Sequence, residues 1–201
     1  VWRPPPCYIT SADVQAGDTR SLMWAINEVL SGQAIEPEDA GPETPASICI
    51  PGGTYEWDGQ EIVVASGLRL ALASASGDRV VISGAQNTFD QRFLRVMSDA
   101  ELYIGHRFTI EGFAEDREDC DFLDVERTGG RTGGAIVLED GFAVAFFGDD
   151  IIIQDNIAAC HALQRPNSGA GMFIGRGARV TFGDRLVVRR NRALVSLAVQ
   201  S

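Results

Sequence analysis

The chain contains no lysine; all 17 of its basic residues are arginine. Either a bias in the coding sequence or selection for arginine-type contacts at interfaces accounts for this. With a net charge of -11 and a pI near 4.6, the chain is a poor match for nucleic acid or an anionic membrane. No apolar run approaches the roughly 18 residues that a spanning helix needs, so no membrane-spanning segment is expected. The beginning, Val1-Trp2-Arg3-Pro4, lacks Met and an apolar signal core, and reads as a mature chain without its targeting segment. Only two histidines occur, His106 and His161, neither with a ligand-spaced partner. No C-x-x-C pair and no glycine-rich phosphate loop between a strand and a helix occur. Cofactors are therefore expected to be none, and no resident metal is expected.

What the chain does have is an internal repeat. Ala143, Phe147, Gly148, Asp149, Ile151, Ile153, Asn156 and Ala158 return 35 residues later as Ala178, Phe182, Gly183, Asp184, Leu186, Val188, Asn191 and Ala193. The lead-in Gly134-Ala135-Ile136 returns slightly out of phase as Gly171-Met172-Phe173. A third copy, Ala100, Leu102, Ile104, Gly105, Phe108 and Ile110, keeps the apolar positions and the glycine but lacks the terminal Asn. Such a period is the mark of a stacked architecture.

The rest of the chain fits around that repeat as one domain over residues 1–201. Residues 1–46 read as an N-terminal cap with an acidic loop, and residues 47–112 as early coils. Residues 113–132 read as an acidic loop between coils, and residues 133–201 as two clear repeats with an uncapped end. Asp18 offers an N-cap for a helix over Thr19–Leu30, where Leu22, Ile26, Val29 and Leu30 share one face and Ser31-Gly32 stops it. After the acidic loop the chain turns into short strands around 47–50, 61–64, 68–72, 80–82, 93–96, 101–104 and 108–110. In the last copy, three strands at 172–174, 179–182 and 186–188 are separated by corners. Three strands per unit suit one turn of a parallel β-helix, with like residues stacked on like. Asn156 over Asn191 predicts an amide ladder at a corner, and Gly148 with Gly183 a corner that needs positive φ. An antiparallel sandwich is the competing fold, but its turns need not recur at a fixed offset. The expected class is all-β, a parallel β-helix solenoid with a short capping α-helix.

The motifs Gly133-Gly134-Ala135-Ile136 and Ile153-Gln154-Asp155-Asn156 resemble the polymorphic outer membrane protein repeat, with its GGA-I and F-x-x-N tetrapeptides. Ile153 and Val188 stand where that family has Phe, and the last coil carries Gly169-Ala170-Gly171 for GGA. The opening residues Asp18, Ser21 and Leu22, the segment Ile48-Cys49-Ile50-Pro51-Gly52-Gly53-Thr54-Tyr55, Val81-Ile82-Ser83-Gly84 and Phe93-Leu94-Arg95-Val96 resemble pectin-lyase-like proteins. The resemblance covers most of residues 15–193. It implies a right-handed parallel β-helix of the kind found in adhesins, autotransporter passengers, extracellular structural proteins and polysaccharide lyases.

For chemistry, Asp149, Asp150 and Asp184 lie at a repeated corner with Asp155 near, and Arg189, Arg190 and Arg192 follow. Paired carboxylates with an arginine would suit glycoside cleavage. Turns favour Asp without any catalytic role, and a catalytic site is usually unique where these residues recur. Asp116, Asp119, Asp121 and Asp124 belong to a loop rich enough in carboxylates for calcium, or simply to a solvated loop. Cys7, Cys49, Cys120 and Cys160 permit two disulfides in an oxidising compartment, Cys7 with Cys49 and Cys120 with Cys160, the latter pair in loops after equivalent strands. Four buried free thiols are the alternative. Tyr55, Trp57 and Tyr103 are the aromatic candidates for a carbohydrate-binding face.

The sequence thus leads to a non-catalytic structural or protein-interaction domain, secreted, at the cell surface or in an organelle lumen. Its expected protein partners meet it at the C-terminal β-helix end. A polysaccharide lyase or hydrolase, or a carbohydrate-binding module, is the alternative.

Overall fold

The structure is a computed structural model that describes residues 7–9, 14–31, 47–57, 60–84, 92–117, 134–160 and 170–195. Its order is β1 (Cys7–Ile9), α1 (Thr19–Leu30), β2 (Ser47–Ile50), β3 (Gly53–Glu56), β4 (Ile62–Val64), β5 (Arg69–Ser74), β6 (Val80–Ser83) and β7 (Leu94–Val96). There follow β8 (Glu101–Ile104), β9 (Phe108–Glu111), β10 (Ala114–Arg117), β11 (Ile136–Leu138), β12 (Val144–Phe147), β13 (Ile152–Gln154) and β14 (Ile157–Cys160). The last are β15 (Met172–Ile174), β16 (Arg179–Phe182), β17 (Val187–Arg189) and β18 (Arg192–Val195).

Every strand pairing is parallel, and the sheets run β1-β2-β5-β8-β12-β16, β3-β6-β9-β13-β17, β4-β7-β11-β15 and β10-β14-β18. From β2 onward consecutive strands therefore go to different sheets, and strands lie beside their counterparts from neighbouring passes. We call one such pass a rung. This mostly-β arrangement with one described helix fits an all-β parallel β-helix, and nothing in it fits an antiparallel sandwich.

The register reproduces the repeat. Phe147 pairs with Phe182, Ile153 with Val188 and Ala158 with Ala193. The earlier copy falls in step too, Ile104 beside Phe147 and Ile110 beside Ile153. The lead-in differs by one residue from the reading above: Ile136 lies opposite Met172, not Phe173. Gly134 therefore stacks over Ala170, and a Cβ on Gly134 would meet the Ala170 carbonyl oxygen at 2.0 Å.

Alternation along each short strand sends one set of side chains inward. Leu102, Ile104, Ala145, Phe147, Ile110 and Ile153 all join one core, each at most 2% exposed. Aromatic rings fill it: Trp57 meets Phe93 at 5.2 Å, Phe93 meets Phe113 at 5.5 Å, and Phe147 stacks on Phe182 at 5.1 Å. The helix α1 begins where expected, with the Asp18 carboxylate accepting from the Arg20 and Ser21 N–H groups. Its buried face, Leu22, Ala25 and Ile26, joins the same core beside Ile48, Tyr55 and Trp57. The Thr19 hydroxyl ties it to the Glu56 carbonyl at 2.7 Å.

Four strands escaped the sequence reading. β3 follows the Pro51-Gly52 turn directly. β10 occupies the first part of the segment read as an acidic loop, and β14 and β18 give the last two rungs a fourth strand. The backbone of Ala114–Arg117 pairs with that of Ile157–Cys160. Cys160 is accordingly the last residue of a strand, opposite Arg117, rather than a loop residue.

Candidate functional site

The corner between β12 and β13, with its counterparts one rung either side, holds the residues singled out for chemistry. Gly105, Gly148 and Gly183 stack there, but none has positive φ. A Cβ on Gly148 would lie 2.8 Å from the Gly105 carbonyl carbon and 2.9 Å from the His106 nitrogen. Glycine is needed for the close approach of successive rungs. The left-handed residues are two positions further on: Arg107 (φ 61°), Asp150 (φ 60°) and Arg185 (φ 61°). A second left-handed column, Gly112, Asp155 and Arg190, follows the next strand.

The carboxylates of Asp149, Asp150 and Asp155 have partners one rung away. Asp149 Oδ1 accepts the Asp184 N–H at 2.7 Å, and the Asp149 N–H donates to His106 Nδ1 at 2.9 Å. The Arg185 guanidinium grips Asp150 in bidentate fashion, one contact at 2.7 Å. Arg190 grips Asp155 likewise, with both contacts at 2.6 Å, and Arg189 Nε donates to Gln154 Oε1 at 2.8 Å. These arginines hold the Asp150 and Asp155 carboxyls below the usual carboxylate range. A carboxyl kept ionised by a bidentate arginine is the reverse of a general acid, whose pKa is raised. Asp149, Asp150 and Asp184 are thus brought to one exposed or half-exposed corner, while Arg189 lies at the far end of β17, on Gln154.

The described cleft lies elsewhere. It has a volume of about 490 Å³ and opens between α1 and β4, lined by Met23, Ile26, Leu30, Trp57, Ile62 and Val63 among others. The one carboxylate there, Glu61, lies 2.6 Å from the nearly buried Arg92. None of the corner residues reaches it.

Asn156 is fully buried and forms the expected ladder. Its Oδ1 accepts the Phe113 N–H at 3.0 Å, and its Nδ2 donates to Ile110 O and to Asn191 Oδ1. Asn191 repeats the motif by donating to Ile153 O at 2.9 Å. Phe113 occupies this column in the earlier copy that lacks the Asn.

Among the described residues no group of three or more His, Cys, Asp or Glu side chains could hold a metal ion. Of the calcium candidates, Asp116 is placed in β10, while Asp119, Asp121 and Asp124 lie outside the described residues, as do Cys120 and His161. Cys7 lies in β1 and Cys49 in the neighbouring β2; Cys49 is buried and is not a free thiol. No described helix is long and apolar enough to cross a membrane.

Tyr55 and Trp57 are core residues, fully buried, with the Tyr55 hydroxyl on Pro51 O and the Trp57 Nε1 on Gln60 O. Tyr103 lies on the outer side of β8 and stacks on Phe146 at 5.0 Å and 13°. The rings use their faces on one another, so a sugar would not find both faces open. Burial, and then the hydrogen bond to Glu101, push the Tyr103 hydroxyl up to about 12.

The feature that sequence reasoning missed is the contrast at the last rung. Ile174 and Val188 are 48% and 57% exposed, whereas their counterparts Leu138 and Ile153 are 0% and 1%. The same rung carries Arg176, Arg179, Arg185, Arg189, Arg190 and Arg192 against a single acid, Asp184, within residues 170–195. The signal was present: Asp150 and Arg185, Gln154 and Arg189, and Asp155 and Arg190 all differ by the repeat offset, but as complementary rather than identical residues. No family model, no curated protein and no solved structure matches the chain.

Proposed function

We propose that this chain is a non-catalytic β-helix scaffold that presents its C-terminal end to a protein partner in a secreted, cell-surface or lumenal assembly. The observation that carries this reading is the exposure of Ile174 and Val188, residues whose counterparts one rung earlier are core. A row of apolar side chains beside an open strand edge is a template for further pairing. The solenoid would be right-handed, as about 98% of parallel crossover connections are. α1 would serve as its N-terminal cap. The resemblance to the polymorphic outer membrane protein repeat belongs to this proposal and rests on the motifs alone. So do the disulfides Cys7–Cys49 and Cys120–Cys160, the first supported by the adjacency of β1 and β2 and by Cys49 not being a free thiol.

The enzymatic reading has less support, because the Asp149, Asp150 and Asp155 carboxylates are held by hydrogen bonds between rungs. A photoreactive residue at Val188, with a control at the outward-facing Thr181, tests the scaffold reading in the native particle. One stoichiometric partner at Val188 is expected. The reading fails if Val188 yields no partner, or if the purified chain turns over pectate, alginate or a similar polymer with or without calcium.

A further inference from the structure

The proposed interaction leaves the partner's chemistry open, and the last rung narrows it. Up the corner column the charges alternate: Arg107, then Asp150, then Arg185. Asp150 feels arginines from both sides, gripped by Arg185 and drawn on by Arg107 and Arg79. Arg79 itself reaches across to the Asp150 carbonyl at 3.2 Å. In the neighbouring column Asp155 is followed by Arg190. Each column thus ends on an arginine whose far side has no acid among the described residues. Between the two, Val187 and Val188 are 38% and 57% exposed.

We infer that the edge of β17, outermost of the described strands in its sheet, receives an extended acidic segment of a partner protein, added as a parallel strand with carboxylates over Arg185 and Arg190. This rests on the scaffold reading above. The template is in the chain: Asp150-Ile151-Ile152-Ile153-Gln154-Asp155 already lies against the other side of β17, with two carboxylates five residues apart around an apolar centre. A segment with the same spacing repeats that packing on the open side. Strand addition supplies main-chain hydrogen bonds, and side-chain pockets supply selectivity. A second copy fits less well. An end-to-end two-fold contact sets the same patch against itself, and here that patch is arginine-rich. A nucleic acid would satisfy the guanidiniums but offers no apolar row for Val188.

The probe is a labelled synthetic peptide of residues 147–158, titrated into the full chain and followed by fluorescence anisotropy. Its control carries Asn at the positions of Asp150 and Asp155. The acidic peptide is expected to bind about tenfold more tightly, since charge-assisted bidentate pairs are the stronger kind. The preference should shrink as salt rises, a readout that needs no variant. Arg185→Gln with Arg190→Gln should erase the preference, provided the circular-dichroism melt shows the double variant folded. Equal binding of both peptides overturns the acidic assignment while leaving an apolar dock and the scaffold reading intact. If neither peptide binds but a photoreactive Val188 captures a partner, strand addition is wrong and the scaffold reading stands. If neither peptide binds and Val188 captures nothing, both fall. Self-association abolished by the double glutamine variant puts a second copy at this end and overturns the inference. Displacement of the acidic peptide by inorganic polyphosphate at equal charge also overturns it, leaving a general anion edge.

Discussion

The rung from Ile136 to Cys160 and the rung from Met172 to Val195 have nearly the same residue pattern and opposite surroundings. Phe147 is 2% exposed and Ile153 1%, because each has a rung on both sides. Phe182 is half-buried and Val188 is 57% exposed, because among the described residues each has a rung on one side only. The polar residues differ in sign as well. The inner rung offers Asp149, Asp150 and Asp155, and the outer one answers with arginine and backbone N–H groups. A repeat therefore specifies a shape that stacks, while position in the stack decides whether an apolar residue is core or exposed.

The sharpest break in this comparison is a pair of truncations. Ile153→Ala leaves a cavity between two rungs and should cost about 3 kcal/mol, in the range for buried aliphatic deletions. Val188→Ala, at the equivalent position, should cost about 0.5 kcal/mol, since most of its side chain is already in water. Denaturant melts of the two variants measure the difference, and equal losses would remove the distinction between inner and end rungs.

The asparagine column gives the next largest effect. Asn156→Ala strands the buried Phe113 N–H and removes donors to Ile110 O and Asn191 Oδ1, a loss of about 2–3 kcal/mol. Asn191→Ala also removes three bonds, but at a half-exposed site where water can take their place, and should cost about 1 kcal/mol. An Asn191→Ala loss equal to that of Asn156→Ala would show that the ladder is no weaker at its end.

Glycine substitution sharpens the comparison further. Gly148→Ala wedges a methyl between two fixed rungs and should cost about 2 kcal/mol. Gly183→Ala meets Asp149 Oδ1 at 2.3 Å but lifts only the free rung, for about 1 kcal/mol. Thermal melts that rank these in the opposite order would argue that the last rung is held as rigidly as the inner one.

The smallest effect is with pH. Asp150 and Asp155 are held below their ordinary range by Arg185 and Arg190. Their contribution is full above the unfolded carboxylate pKa of about 3.9 and is lost as pH falls through the depressed folded values. Acidification below about pH 4 should therefore loosen β17 before β13. Tyr103 runs the other way. Its raised value of about 12 makes its contribution full below about pH 10, and lost between there and the folded value. Burial also raises Tyr55, so an ultraviolet titration of the tyrosines should find Tyr55 and Tyr103 ionising late, and Phe146→Ala, which uncovers the Tyr103 ring, should bring Tyr103 alone earlier.

Much of this was legible from spacing. The offset of 35 gave the register of β12 on β16 and β13 on β17, because parallel stacking puts like residues in contact. The Asn156–Asn191 ladder followed from the same offset, and Asp18 marked the start of α1. What stayed hidden has physical causes. β10 reads as loop because Ala114–Arg117 makes its strand through backbone pairing, which composition does not reveal. The left-handed turns fall on Asp150, Asp155, Arg185 and Arg190, where no glycine announces them. Gly148 and Gly183 were read as left-handed when their role is to let the rungs approach. The charge ladder stayed hidden because complementary residues at the repeat offset look like mismatches.

Residue-level hydrogen exchange on the isolated chain tests most directly whether the outer rung is an open end. Among the described strands β13 is paired on both sides, whereas β17 is paired on one, through contacts such as Val187 N to Ile151 O at 2.8 Å. The account predicts that Ile152–Gln154 exchange only at the rate of global unfolding and that Val187–Arg189 exchange far faster. Adding the acidic peptide of residues 147–158 should slow the outer set alone. Equal protection of the two strands in the chain by itself would contradict it.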